Sequence, residues 1–210
     1  MKRAPKRQGH TPLARAELPV DTAALARTLI GKLLVRELPE GVASGRIVET
    51  EAYVIGDAAG HAYGGMTPRN RSLFLERGHA YVYLAYGVSF MLNVSSEASG
   101  TGAGVLIRAL EPVEGVSIMR QNHGVERLRD LTRGPGRLAQ ALRIDRSLDG
   151  LDLCQEGPLW LAQDDHGASE IGESKIGESV RIGITREAER VLRFYVRGSP
   201  FVSGLRSLNE

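Results

Sequence analysis

Nine residues, Gly45 to Tyr53 (GRIVETEAY), hold two carboxylates and a phenol at every second position. Read as a strand, Ile47, Glu49, Glu51 and Tyr53 share one face, and Val48, Thr50 and Ala52 share the other. Burying an unpaired carboxylate is costly or forces its pKa upward, so a plain core strand would not carry two of them together. Two arrangements satisfy the spacing: an edge strand with a wetted polar face, or an acid–base site.

Tyrosines form a second cluster. AYVYLAYG puts Tyr81 and Tyr83 on one strand face, with Tyr86 beside Gly87 where the alternation breaks. Cross-strand packing explains paired tyrosines, whereas an aromatic at a hairpin tip also suits insertion between stacked bases. His61 stands in the small-residue stretch GDAAGHAYGG, where a local hydrogen bond is the ordinary role. With one cysteine, Cys154, and scattered histidines, no metal-ligand spacing occurs. Phosphate-cradling, dinucleotide and nucleophile-elbow motifs are likewise missing, so nucleotide phosphoryl transfer, nicotinamide redox and serine hydrolase chemistry have no anchor. TPRNRS brings Arg69 and Arg71 together, and RGPGRLAQAL sets Arg133 and Arg137 around a turn before a helix. Both are either surface turns or phosphate contacts made through arginine and free helical N–H groups.

These side chains must be held by a mixed set of elements. Asp21 is a plausible N-cap for a short helix closed by Gly31. Strands are expected over Lys32–Leu38 and Gly45–Tyr53, followed by a long loop from Ile55 to Asn70. A β-hairpin follows, its strands from about His79 to Ala85 and from Phe90 to Ser95. Another strand runs from Gly104 to Leu110, and Pro112 is read as opening a helix. Further strands are expected at Leu159–Ala162, Val180–Thr185 and Leu192–Val196, with IGESKIGES (Ile171 to Ser179) as a surface loop. The pattern predicts one α+β domain, an antiparallel sheet with helices packed around it.

The 210 residues suffice for one domain with a real core, and the formal net charge is +2. That balance permits nucleic-acid binding without announcing it. No apolar run is long enough to span a membrane. The basic start, MKRAPKRQGH, has no apolar stretch behind it and is read as a flexible tail over residues 1–12. A single thiol makes no internal disulfide, which fits a cytoplasmic protein, nucleoid-associated if bacterial.

The fragments LARTLIGKLLVR, GRIVETEAY, HAYGGMTPRNRSLF, YVYLAYG, MLNVSS, VLIRALEP, GPGRLAQAL and RFYVRGSPFVS occur in this order from about residue 13 to about residue 203. Together they resemble the alkyladenine (3-methyladenine) DNA glycosylase family. The resemblance implies a curved antiparallel sheet surrounded by helices over residues 13–210. It implies a monomer without metal or cofactor, and a protruding hairpin that enters damaged double-stranded DNA. By motif, Glu51 is the general base and Arg108 lies near the base and the attacking water. Tyr53 stacks on the flipped purine, His61 and Tyr83 form the opposite wall, and Asn93 and Leu106 shape the floor. Tyr86 fills the gap left in the duplex, while Arg69, Arg71, Arg133 and Arg137 are the backbone contacts. The implied activity removes alkylated or deaminated purines and leaves an abasic site. A lesion-binding module that has lost turnover is the rival reading, and a domain of the kind appended to transferases acting on charged tRNA is a third.

Overall fold

In the computed structural model, residues 10–164, 171–205 and 207 are described. Most of the expected basic tail, residues 1–9, lies outside them. Pro12 bridges Ala162, and Thr11 O accepts from Gln163 N–H, so the described chain begins against the sheet edge.

Among the described residues, three α-helices pack on an eight-stranded antiparallel sheet. The elements are α1 (Thr22–Thr28), β1 (Leu33–Leu38), β2 (Gly41–Tyr53), β3 (Ala80–Ala85), β4 (Ser89–Ser95), β5 (Gly104–Glu114), α2 (Val116–His123) and α3 (Pro135–Ala141). They are followed by β6 (Leu159–Ala162), β7 (Ile176–Val180) and β8 (Val191–Val196). Strand order is β3-β4-β5-β2-β1-β6, and β8 joins the C-terminal half of β2 while pairing β7 on its other side. The expected α+β class is therefore what the chain adopts. Asp21 caps α1 as its side chain accepts from Ala24 N–H at 2.7 Å. Leu25, Ala26 and Leu29 bury that helix against Ile47, Ala52, Val105 and Ile107 of the central strands.

Two sequence expectations are corrected. Pro112 does not open a helix; it lies inside β5, opposite Gly45 at a register shift. A proline lacks the ladder N–H and is accommodated where pairing slips. A Cβ on Gly45 would fall 2.9 Å from Leu110 Cβ, so glycine allows the close approach. The helix starts instead at Val116, after the left-handed Gly115. The strand expected at Val180–Thr185 ends at Val180 and occupies Ile176–Val180, half of the stretch read as a surface loop. Ile176 is buried in the core and Gly177 lies under the Tyr195 ring, which fixes pairing with β8 there. Residues 181–184 are thereby freed from the ladder and turn toward β2.

The decisive local feature is a double irregularity where β2 meets β5. Pairing runs Ile47↔Leu110, Glu49↔Ala109, Thr50↔Ile107, leaving Val48 and Arg108 as extra residues on their strands. Ile47 joins Ala52 in the helix-side core, and Thr50 donates to Ala26 O of α1 at 2.8 Å. Val48 packs on the other side with Phe201 and Val202. The ideal alternation is thus corrected: Ile47 leaves the face shared by Glu49, Glu51 and Tyr53, and Val48 joins it. Bulges re-aim side chains in this way, often beside active sites.

Candidate active site

Antiparallel register sets the site residues side by side. Tyr81 pairs with Asn93, Asn93 with Leu106, Leu106 with Glu51, and Glu51 with Arg193. This row crosses β3, β4, β5, β2 and β8, and directly paired residues project from the same face. Above it lies a cleft of about 340 Å³ lined by Tyr53, His61, Tyr83, Asn93, Leu106 and Arg108 among others. That volume is in the range of small-ligand sites.

Glu51 is fully buried, set behind Tyr53, Arg108 and Ile182, which line the cleft. One carboxylate oxygen accepts from Ile182 N–H at 2.7 Å; the other accepts from the Tyr53 hydroxyl at 3.1 Å and lies 3.2 Å from Arg108 Nη1. Burial pushes its pKa up and the nearby Glu49 charge adds to this, while Arg108, Ile182 N–H and Tyr53 offset only part. The result is a carboxylate of raised basicity with hydrogen-bond donors arranged around it. Tyr53 is held firmly un-ionised by burial and by the Glu51 charge. One face of its ring is covered by Arg181, whose guanidinium carbon sits 4.7 Å from the ring centroid.

Arg181 and Asp57 form an ion pair with both side chains wholly inaccessible. Arg181 also donates to Ala52 O at 3.0 Å, so the pair ties the loop after β2 to the segment after β7. Across the cleft, His61 Nδ1 is 2.9 Å from the Tyr81 hydroxyl, and its ring meets Tyr83 edge-on at 4.4 Å. Desolvation at the cleft wall and the nearby Arg69 charge lower the His61 pKa. Burial raises the Tyr81 phenol to about 12. The loop bearing His61 is clamped by buried Asn70, whose Nδ2 donates to His61 O at 2.8 Å and Gly65 O at 3.0 Å. Asn93 is buried and donates to Tyr81 O at 3.3 Å.

Residues 16–200 match the family model described as methylpurine-DNA glycosylase (MPG). The chain belongs to the methylpurine-DNA glycosylase family. A putative 3-methyladenine DNA glycosylase of Mesorhizobium japonicum is 75% identical over 97% of this chain and 95% of its own length. One from Paraburkholderia phytofirmans is 53% identical over 94% of this chain and 90% of its own. The DNA-3-methyladenine glycosylase of Homo sapiens is 46% identical over 85% of this chain and 63% of its own.

In this glycosylase family member the hairpin tip stands beside the cleft, which Tyr86 itself lines. Tyr86 is 94% exposed and holds a left-handed backbone (φ 51°), followed by Gly87 at φ 71°. A bulky residue at positive φ costs about 1–3 kcal/mol and tends to mark a functional position. Of the arginines singled out in the sequence, Arg69 and Arg71 are exposed and have no carboxylate partner among the described residues. Arg137 faces Asp130 at 3.1 Å, and Arg133 donates to Val202 O at 2.8 Å. They do not converge on one point: Arg71 lines a separate surface cleft with Ser72 and Phe74.

Sequence reasoning missed Arg193, Arg181, Asp57, Ile182 and Ser203. Arg193 carried a signal, since it is the one charge inside the apolar run VLRFYV, and the fold buries it fully. Ile182 carried none, because it acts through its backbone.

Proposed function

We propose that this protein flips an alkylated or deaminated purine out of duplex DNA and hydrolyses its N-glycosidic bond, leaving an abasic site. The observation that carries this reading is the basic, buried Glu51 carboxylate beneath an aromatic cleft that opens beside an exposed hairpin tyrosine. A base within a duplex is out of reach of any such carboxylate and must be extruded.

Tyr86 enters the stack as the purine leaves it, offsetting the unstacking cost. The purine lies against Tyr53, with His61 and Tyr83 opposite; electron-rich rings favour a cationic alkylated base. If the Tyr81 hydroxyl donates to His61 Nδ1, the neutral ring carries its proton on Nε2 and donates to an acceptor on the base edge. Asn93 disfavours the exocyclic amino group of an ordinary guanine, and Leu106 shapes the floor. A water beside Arg108 Nη1 takes up the Glu51 oxygen now bonded to Tyr53. Glu51 removes its proton and stabilises the oxocarbenium character of the sugar as the bond breaks. No lysine lies on β2, so water rather than an amine is the nucleophile.

Arg69, Arg71, Arg133 and Arg137 contact phosphates, Arg133 while still held to Val202. Raising salt should therefore lower affinity for damaged and undamaged duplex alike, with a log–log slope set by the phosphates neutralised. An affinity indifferent to salt, measured by anisotropy titration, would remove these contacts. The protein acts as a monomer in the cytoplasm, at the nucleoid in a bacterium.

The deciding experiment is single-turnover incubation with duplexes carrying 3-methyladenine, 7-methylguanine, hypoxanthine or an etheno adduct. Free base and an alkali-labile abasic site are expected; lesion binding without base release leaves only a binding module. Tyr86→Ser tests the wedge. Because the side chain is exposed, stability should change by no more than about 0.5 kcal/mol. Lesion affinity and excision rate should instead fall together, by about 5- to 150-fold for the loss of about 1–3 kcal/mol of stacking. Unchanged values would show that the hairpin does not enter the duplex.

A further inference from the structure

The reaction just described leaves the first carboxylate of β2, Glu49, without a role. Glu49 is fully buried and surrounded by donors. One oxygen accepts from Arg108 Nε at 3.0 Å, Arg193 Nε at 2.7 Å and Ser203 Oγ at 2.9 Å; the other accepts from Ser203 N–H at 2.7 Å. Arg108 is thus held on two sides, since its Nη2 also lies 3.3 Å from Ser203 Oγ. Only Nη1 is left on the Glu51 oxygen, at 3.2 Å.

A guanidinium and a carboxylate left to themselves favour the two-pronged fork, in which both carboxylate oxygens are taken and the anion is strongly stabilised. A Glu51 gripped that way would be a poor base with no oxygen for water. We propose that Glu49 is a positioning residue: by occupying Arg108 Nε it restricts the arginine to a single contact with one Glu51 oxygen and keeps it out of the two-pronged fork. Arg193 completes the device by balancing the added charge, so the four buried groups carry two charges of each sign. The inference rests on the glycosylase reading only for its kinetic readout.

Groups facing Glu51 are Glu49 and Tyr53 from β2, Arg108 from β5, Arg193 from β8, Tyr83 from β3 and Arg181 behind the Tyr53 ring. Glu49→Gln removes a negative neighbour, weakens the hold on Arg108 Nε to a neutral amide oxygen and turns an amide NH2 against Ser203 N–H. Arg193→Met removes the positive charge that pairs with Glu49 and stands opposite Glu51 across the β2–β8 ladder. The experiment follows the Glu51 carboxyl by 13C NMR titration and the pH dependence of single-turnover hypoxanthine excision. In Glu49→Gln the Glu51 titration and the acid limb should move to lower pH by about one unit or more. The plateau rate should fall about 10- to 100-fold, with lesion-duplex affinity held within about two-fold. In Arg193→Met the titration and the acid limb should move to higher pH.

General loosening of the cluster would admit water and shift both variants the same way, and that result overturns the proposal, as does no shift. If either variant fails to fold, Ser203→Ala takes its place. It frees Arg108 Nη2 without altering charge, so the rate should fall several-fold with the Glu51 titration unmoved; an unchanged rate overturns the positioning role. The NMR titration needs no turnover, so a wild type that releases no base would sink the glycosylase reading and still leave the Glu49 inference decided.

Discussion

Glu51→Gln is expected to lower single-turnover base release by about 10³-fold, within the 10²–10⁴-fold range of a positioned general base, while lesion binding is kept. Glutamine keeps the shape and an oxygen for Ile182 N–H, now at 2.7 Å from Glu51. It cannot take a proton from water or stabilise positive charge on the sugar. The variant therefore separates capture of the purine from cleavage. Excision by Glu51→Gln at the wild-type rate would transfer the base role to another group. The same carboxylate sets the pH dependence. Burial raises the Glu51 pKa, and the proposed base role makes the ionised form the active one. The rate on a neutral lesion should be full above that raised value and fall as pH drops through it. The acid limb should then lie above the ~4.3 of an ordinary glutamate. A limb at or below that value in a pH–rate profile would show that Glu51 is not the titrating base.

Arg181→Met is expected to give the largest loss of stability. It leaves Asp57 charged and wholly buried without its ion partner, a defect that costs about 3–5 kcal/mol. For a chain of this size that corresponds to a fall of roughly 6–20 °C in melting temperature. Asp57→Asn in the same chain should recover much of the loss. It removes the orphaned charge and keeps the side-chain oxygen that accepts from Ala59 N–H at 3.0 Å. A single variant that melts with the wild type would show that the pair contributes nothing net. Because Arg181 backs the Tyr53 ring, the double variant should still excise more slowly than the parent. Equal rates would detach Arg181 from the base pocket.

Much of this molecule could be read from residue order. The cap at Asp21, the alternation of β3, and the aromatic at the hairpin tip all obey local rules, and local rules survive folding. The fragment HAYGGMTPRNRSLF marked a loop of consequence, and the fold brings its His61 against Tyr81 and Tyr83. Where the sequence reading went astray, a distant partner had overruled local preference. Pro112 resembled a helix start until the slipped register beside Gly45 admitted it to a strand. Ser179 and its neighbours looked like loop until β8 offered them a ladder.

The spacing of Glu49, Glu51 and Tyr53 by itself determined that two acids and a phenol belong to one place, because alternation in a strand is a property of the backbone. How the surroundings of the two acids differ was beyond it. Only the tertiary structure decided that, through the extra residues Val48 and Arg108 in facing strands and through Arg193 and Ser203 arriving from more than a hundred residues away. Ionisation depends on burial and on charges within a few ångströms. The two carboxylates are driven apart: burial favours the neutral acid in both, but Arg108, Arg193 and Ser203 N–H hold Glu49 below the ordinary range while Glu51 stays above it. Sequence supplies the residue types; the charges around each are fixed only when separate strands close on one another.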